Sequence, residues 1–124
     1  MEKFLLISVG AILGANARYW IGDWAARKLG ANFPYGTFII NFTGCLLIGF
    51  FLTLATERLV IDTRWRLLIS VGFLGAYTTF STYVYESFNL LMKGQWVAGL
   101  INLLGSALLG VLAVGMGVYL GKSI

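Results

Sequence analysis

Gly72-Phe73-Leu74-Gly75-Ala76-Tyr77-Thr78-Thr79-Phe80-Ser81-Thr82-Tyr83-Val84-Tyr85-Glu86 is the stretch that decides how this chain is read. It lies in an apolar run with no Lys or Arg between Arg66 and Lys93. Such a run is long enough to cross a bilayer, which takes about 20 helical residues. Yet its centre carries Thr78, Thr79, Ser81 and Thr82, preceded by Gly72 and Gly75. In hydrocarbon every backbone polar group needs an internal partner, so irregular backbone persists there only when buried in protein or lining a wet cavity. The glycines lower the cost of interrupting the helix. A single hydroxyl commonly bonds back to its own helix and bends it. Four hydroxyls beside two glycines point instead to a discontinuous helix whose freed carbonyls and hydroxyls face an ion or water.

The rest of the chain agrees with a membrane setting. Of its 124 residues 59% are hydrophobic and 11% charged, with a mean hydropathy of +0.85; soluble domains carry about 25% charged residues. The runs 4–24, 36–56, 66–91 and 96–121 are expected to be four transmembrane helices filling one domain of an all-α, multi-pass membrane protein. The first run follows a minimal basic stretch and has no small-residue cleavage site, so it is read as retained. The net charge of +4 comes from residues scattered at span ends, where they meet headgroups, and does not imply nucleic acid. A lone Cys45 excludes an intramolecular disulfide, and the absence of His excludes His-ligated metal and Ser-His catalysis. With no paired carboxylates and no nucleophile beside a base, an enzyme is not expected.

Charge flanking the spans is nearly symmetric. One side carries Lys3, Arg58, Arg64, Arg66 and Lys122; the other carries Arg18, Arg27, Lys28 and Lys93. Orientation follows the Lys/Arg bias of such flanks. Five against four gives almost none, so the chain can insert both ways and form an antiparallel, dual-topology homodimer.

Several polar residues fall inside the spans. Gly10 and Gly14 are spaced for close helix approach. Arg18 either snorkels to the headgroups beside Tyr19, Trp20 and Trp24 or is paired within the protein. Pro34 precedes the second span, a favoured helix-start position. Within that span Thr37, Asn41, Gly44, Cys45, Ile48 and Gly49 share a face. The Asn41 amide serves either an interhelical hydrogen bond or a passing anion. Phe80, Tyr83, Tyr85 and Phe88 are packing residues or, through their electropositive ring edges, anion contacts. Glu86 lies within the third span or near its exit. Asn102 and Ser106, one turn apart, make a polar stripe on the fourth span, expected to oppose that of the second. Glu57 to Arg66 reads as a solvated, charged turn.

Gly72-x-x-Gly75-x-x-Thr78-Thr79-Phe80-Ser81-Thr82 resembles the third-helix signature of the Fluc (CrcB) fluoride channels. Gly14-Ala15-x-x-Arg18-Tyr19 is similar to that family's first-helix motif, with Ala11 where a second glycine is frequent. Gly36-Thr37-x-x-x-Asn41-x-x-Gly44 is similar to its second helix. The resemblance implies an antiparallel homodimer with two pores, each built from both subunits, exporting fluoride passively and lowering its cytoplasmic level. It places Asn41, Phe80, Ser81, Thr82, Tyr83, Asn102 and Ser106 on the fluoride pathway. Tyr83 stands where the family has phenylalanine. It also implies a structural Na⁺ at the dimer interface, bound by the carbonyls of Gly75 and Thr78. Two other readings are a proton-coupled, dual-topology small multidrug exporter, whose carboxylate would be Glu86, and a non-transporting assembly subunit.

Overall fold

The computed structural model describes residues Met1–Ile124 as four long helices: α1 (Glu2–Leu29), α2 (Tyr35–Arg58), α3 (Thr63–Met92) and α4 (Trp96–Ser123). Each extends a few residues beyond the run expected from hydropathy alone, because polar end residues continue the turn into the interface. Short connections join them. Gly30 and Gly94 take positive φ values of 87° and 77° at the ends of α1 and α3, which favours residues without a Cβ. The α2–α3 turn is closed by polar contacts, with Asp62 Oδ1 accepting the Arg64 N–H at 2.9 Å and Arg66 donating to the Ala55 carbonyl at 2.5 Å. Glu2–Arg64 at 2.7 Å and Glu57–Lys122 at 3.6 Å tie helix ends on that side.

The bundle is held by two glycine seams. Along α1, a Cβ on Gly10 would collide with the Leu68 carbonyl and one on Gly14 with the Phe73 carbonyl, so α3 lies backbone to backbone against α1. Along α4, a Cβ on Gly117 would strike the Leu46 carbonyl of α2, and one on Gly49 of α2 would strike Val114. Lipid tails are as apolar as Leu, so hydrophobic burial does little to drive these contacts; close packing of small residues does. Only 11% to 28% of each span's apolar window is buried within the chain. The outward faces carry residues such as Leu5, Ile12, Leu108 and Val111. Four helices of this length and surface define a multi-pass membrane protein.

α3 is broken. Its first half covers residues 63–77 and its second half Ser81–Met92, with Thr78 in extended conformation (φ −82°, ψ 159°) between them. The two glycines are not the hinge. Gly75 has helical angles (φ −62°, ψ −37°), and Gly72 lies against the Ile7 carbonyl of α1. The hydroxyl residues make the break instead: Thr78 Oγ1 donates to the Leu74 carbonyl at 2.9 Å, and Thr79 Oγ1 accepts the Thr82 N–H at 3.3 Å, capping the second half. Wide, π-type turns at Arg66–Leu74 and Ile101–Gly105 loosen the ladder on either side of this region.

Candidate functional site: two clefts meeting at the helix break

The break is latched by one side chain. Asn41 Oδ1 accepts the Thr79 N–H at 2.9 Å while Asn41 Nδ2 donates to the Thr79 carbonyl at 2.8 Å. In an unbroken helix the Thr79 N–H would bond to the Gly75 carbonyl and the Thr82 N–H to the Thr78 carbonyl. Here those two N–H groups go to Asn41 and to Thr79 Oγ1, so the carbonyls of Gly75 and Thr78 accept no hydrogen bond. Both residues line an open cleft. Free carbonyl oxygens are the ligand type that a hard cation takes, so these two residues fit Na⁺.

That cleft, about 540 Å³, lies between α2, α3 and α4 and also includes Asn41, Phe80, Tyr83 and Ser106. It contains no charged residue. A second cleft of about 580 Å³ opens at the end formed by the α1–α2 connection and the exit of α3, and includes Arg18, Thr37, Thr82, Glu86, Asn89 and Lys93. Thr79 lines both, so the polar break separates and joins them. Arg18 has no ion-pair partner and lines this cleft together with Tyr19, Phe33 and Tyr35. Glu86 also lies in it. Its Oε1 accepts the Thr37 hydroxyl at 2.9 Å, while its Oε2 is buried without a partner.

The remaining expected residues divide. Phe80 is 77% exposed, with its ring 6.0 Å from that of Tyr83 at 52°, an edge-tilted pair. The Tyr83 hydroxyl donates to the Leu103 carbonyl, in the wide turn of α4, and so is directed away from any ligand in the cleft. Ser81 is exposed and lies in neither cleft. Asn102 is 1% exposed, with Nδ2 donating to Ser87 Oγ at 2.8 Å and Oδ1 accepting from Ser106 Oγ at 3.3 Å. The polar stripe of α4 therefore divides: Asn102 packs on Ser87 of α3, while Ser106 lines the cleft opposite Asn41, Gly44 and Cys45 of α2. Which face of α4 meets which neighbour is set by the Gly117 seam.

Ser87, Asn89 and the Leu103 carbonyl were not singled out from sequence. Ser87 sits one turn beyond Tyr83, and its hydroxyl donates to the Tyr83 carbonyl at 2.8 Å. A seryl hydroxyl at that spacing was the available signal. Asn102→Ala is expected to leave Ser87 Oγ and Ser106 Oγ without their shared partner and to open a small cavity. The loss is about 1–3 kcal/mol, read as a lowered unfolding midpoint in detergent, with anion transport changed by less than about threefold.

A broken apolar helix, a latched polar crossing and two clefts meeting there define a membrane protein built around a passage for a small polar species. Residues 5–118 match the family described as "CrcB-like protein, Camphor Resistance (CrcB)", and the chain belongs to that family. It is 50% identical over 122 residues to a protein of Chloroflexus aurantiacus named "Fluoride-specific ion channel FluC", covering 98% of this chain and 97% of that one. Proteins with the same name from Trichormus variabilis (50% over 119 residues, 95% and 87% coverage) and Acidobacterium capsulatum (46% over 122 residues, 98% of both) are similarly close.

Proposed function

We propose that this chain is a fluoride channel, not an enzyme, which lets F⁻ leave the cell passively down its electrochemical gradient. One observation carries the reading beyond the names of its relatives. The charge-free cleft and the cleft lined by Arg18, Asp23, Glu86 and Lys93 share Thr79, so polar groups run from one to the other through the middle of an otherwise apolar bundle. Fluoride is small and strongly hydrated, and stripping its water demands close donors. Hydroxyls and amide N–H groups supply them without a fixed positive charge that would hold the ion too tightly to release it.

In this mechanism the anion enters the outer cleft past Arg18 and Lys93, whose charges offset those of Asp23 and Glu86 in the same cleft. Thr82 then offers its hydroxyl proton at the break, its oxygen accepting the Thr79 O–H at 3.1 Å. Beyond it lie Asn41, whose second amide N–H is not used by Thr79, and the ring edges of Phe80 and Tyr83; the Ser106 hydroxyl reaches the anion only by turning from Asn102 Oδ1, to which it donates at 3.3 Å. Ser81, outside both clefts, joins the route only when a second copy supplies the facing wall. Asn102 supports the wall from behind.

The functional unit in this proposal is an antiparallel dimer. The charge symmetry of the loops permits both insertions, and the inner cleft is an open groove that a single chain leaves unclosed. A second copy placed antiparallel would bring two further carbonyls, from its own Gly75 and Thr78, towards the same cation. When bound there, Na⁺ would neutralise carbonyl dipoles that otherwise face one another.

Efflux from liposomes tests the function. Fluoride release is expected to be fast only when a potassium ionophore carries compensating charge, to need no pH gradient, and to be accompanied by little chloride. Ionophore-independent release would instead indicate electroneutral exchange through Glu86. No release from a protein shown to be dimeric would refute the channel.

A further inference from the structure

We propose that Asn41 is a positioning residue for the cation site, acting through the backbone of Thr79, and that its side-chain oxygen carries this role. The proposal rests on the fluoride-channel reading for its setting and goes beyond it in assigning to Asn41 a task unrelated to the anion. A backbone N–H buried in a span must bond to something. In α3 the Thr79 N–H has two acceptors within reach of its chain geometry: the Gly75 carbonyl four residues back, or Asn41 Oδ1 across the groove. The structure shows the second, at 2.9 Å, which leaves the Gly75 carbonyl without a hydrogen bond.

The reciprocal donation from Asn41 Nδ2 to the Thr79 carbonyl, at 2.8 Å, fixes the amide plane so that Oδ1 stays on the N–H. The neighbouring Thr78 carbonyl is freed separately, by the Thr79 hydroxyl cap on the Thr82 N–H at 3.3 Å. Remove the side-chain acceptor, and the cheapest partner for the Thr79 N–H becomes the Gly75 carbonyl. The helix then closes across the break and one cation ligand is lost.

Two variants separate this role from anion contact. Asn41→Ala removes both the acceptor and the donor, whereas Asn41→Asp gives up the donation to the Thr79 carbonyl and keeps an oxygen facing the Thr79 N–H. The measurements are subunit exchange of the dimer in sodium chloride against N-methyl-D-glucamine chloride, and the distance between spin labels at Thr63 and Met92, one on each half of α3.

Wild-type protein is expected to exchange about tenfold more slowly at a sodium concentration ten times its dissociation constant. Asn41→Asp is expected to keep that sodium response and the wild-type label distance. Asn41→Ala is expected to lose the response and to show a longer, straighter α3. A purely structural latch would predict altered distance with the sodium response intact, which overturns the proposal. So does loss of the response in both variants alike, or its retention in Asn41→Ala with an unchanged distance. A wild-type dimer indifferent to sodium overturns the cation assignment and this proposal together, while leaving the efflux test of the channel untouched.

Discussion

Asn41→Asp is expected to slow fluoride efflux by at least about 100-fold while the protein remains dimeric. The substitution is nearly isosteric and gives up the Nδ2 donation to the Thr79 carbonyl, but it preserves an acceptor for the Thr79 N–H, the bond that keeps that N–H off the Gly75 carbonyl. Two further things change. The N–H that the amide leaves unused, and so available in the charge-free cleft, is replaced by an oxygen, and that oxygen carries charge. A carboxylate about 4 Å from an anion repels it by about 4 kcal/mol at an effective dielectric constant of 20, close to three orders of magnitude in rate. No Lys or Arg side chain lines the cleft to offset that repulsion. Ionophore-coupled efflux from liposomes measures it. Efflux within a few-fold of wild type, from protein shown to be dimeric, would remove Asn41 from the anion's route and leave it only its place at the break.

The second large effect concerns the α2–α4 seam. Gly117→Ala is expected to destabilise the subunit by about 3 kcal/mol or more, because its Cβ would overlap the Leu46 carbonyl and lie 2.8 Å from the Phe50 nitrogen. Those are backbone atoms, so no rotamer change relieves the overlap and the helices must separate. Gly115→Ala, two residues away on the same helix, meets nothing within 4 Å. It gains about 1 kcal/mol of helix propensity and is expected to be neutral or mildly stabilising. The fraction of each protein that elutes as a single dimeric species after graded heating reads the difference. Equal behaviour of the two variants would mean that the seam is not a determinant of the fold.

The effects differ in kind because different physics holds the two places together. At the seam, contact is steric and its strength comes from closeness of backbones. At the break it is polar, and its strength comes from Asn41 and the Thr79 hydroxyl pairing the N–H groups of Thr79 and Thr82. Asn41, Thr78 and Thr79 bond part of what the break exposes, namely the Thr79 N–H and carbonyl, the Leu74 carbonyl and the Thr82 N–H.

What the sequence determined by itself was considerable. Apolar run length is a direct consequence of bilayer thickness, so four spans and a membrane setting were legible without any tertiary information. The hydroxyl cluster at Thr78 to Thr82 announced a break because polar backbone in hydrocarbon has so few solutions. Gly10 and Gly14 announced a close helix contact for the same steric reason that it exists. What only the tertiary structure decided was direction. Spacing along α4 puts Asn102 and Ser106 on one face but cannot say what that face meets; the seam at Gly117 turns Asn102 towards Ser87 and Ser106 into the cleft beside α2. Spacing along α2 likewise puts Asn41 inward but not against Thr79. The glycines before the break looked like its hinge, yet Gly72 is used for packing and Gly75 stays helical, because the hydroxyls offer the bonds that end the first half of α3. Periodicity along one helix fixes which residues lie together on that helix. Rotation about its axis is fixed only by the neighbours that pack against it.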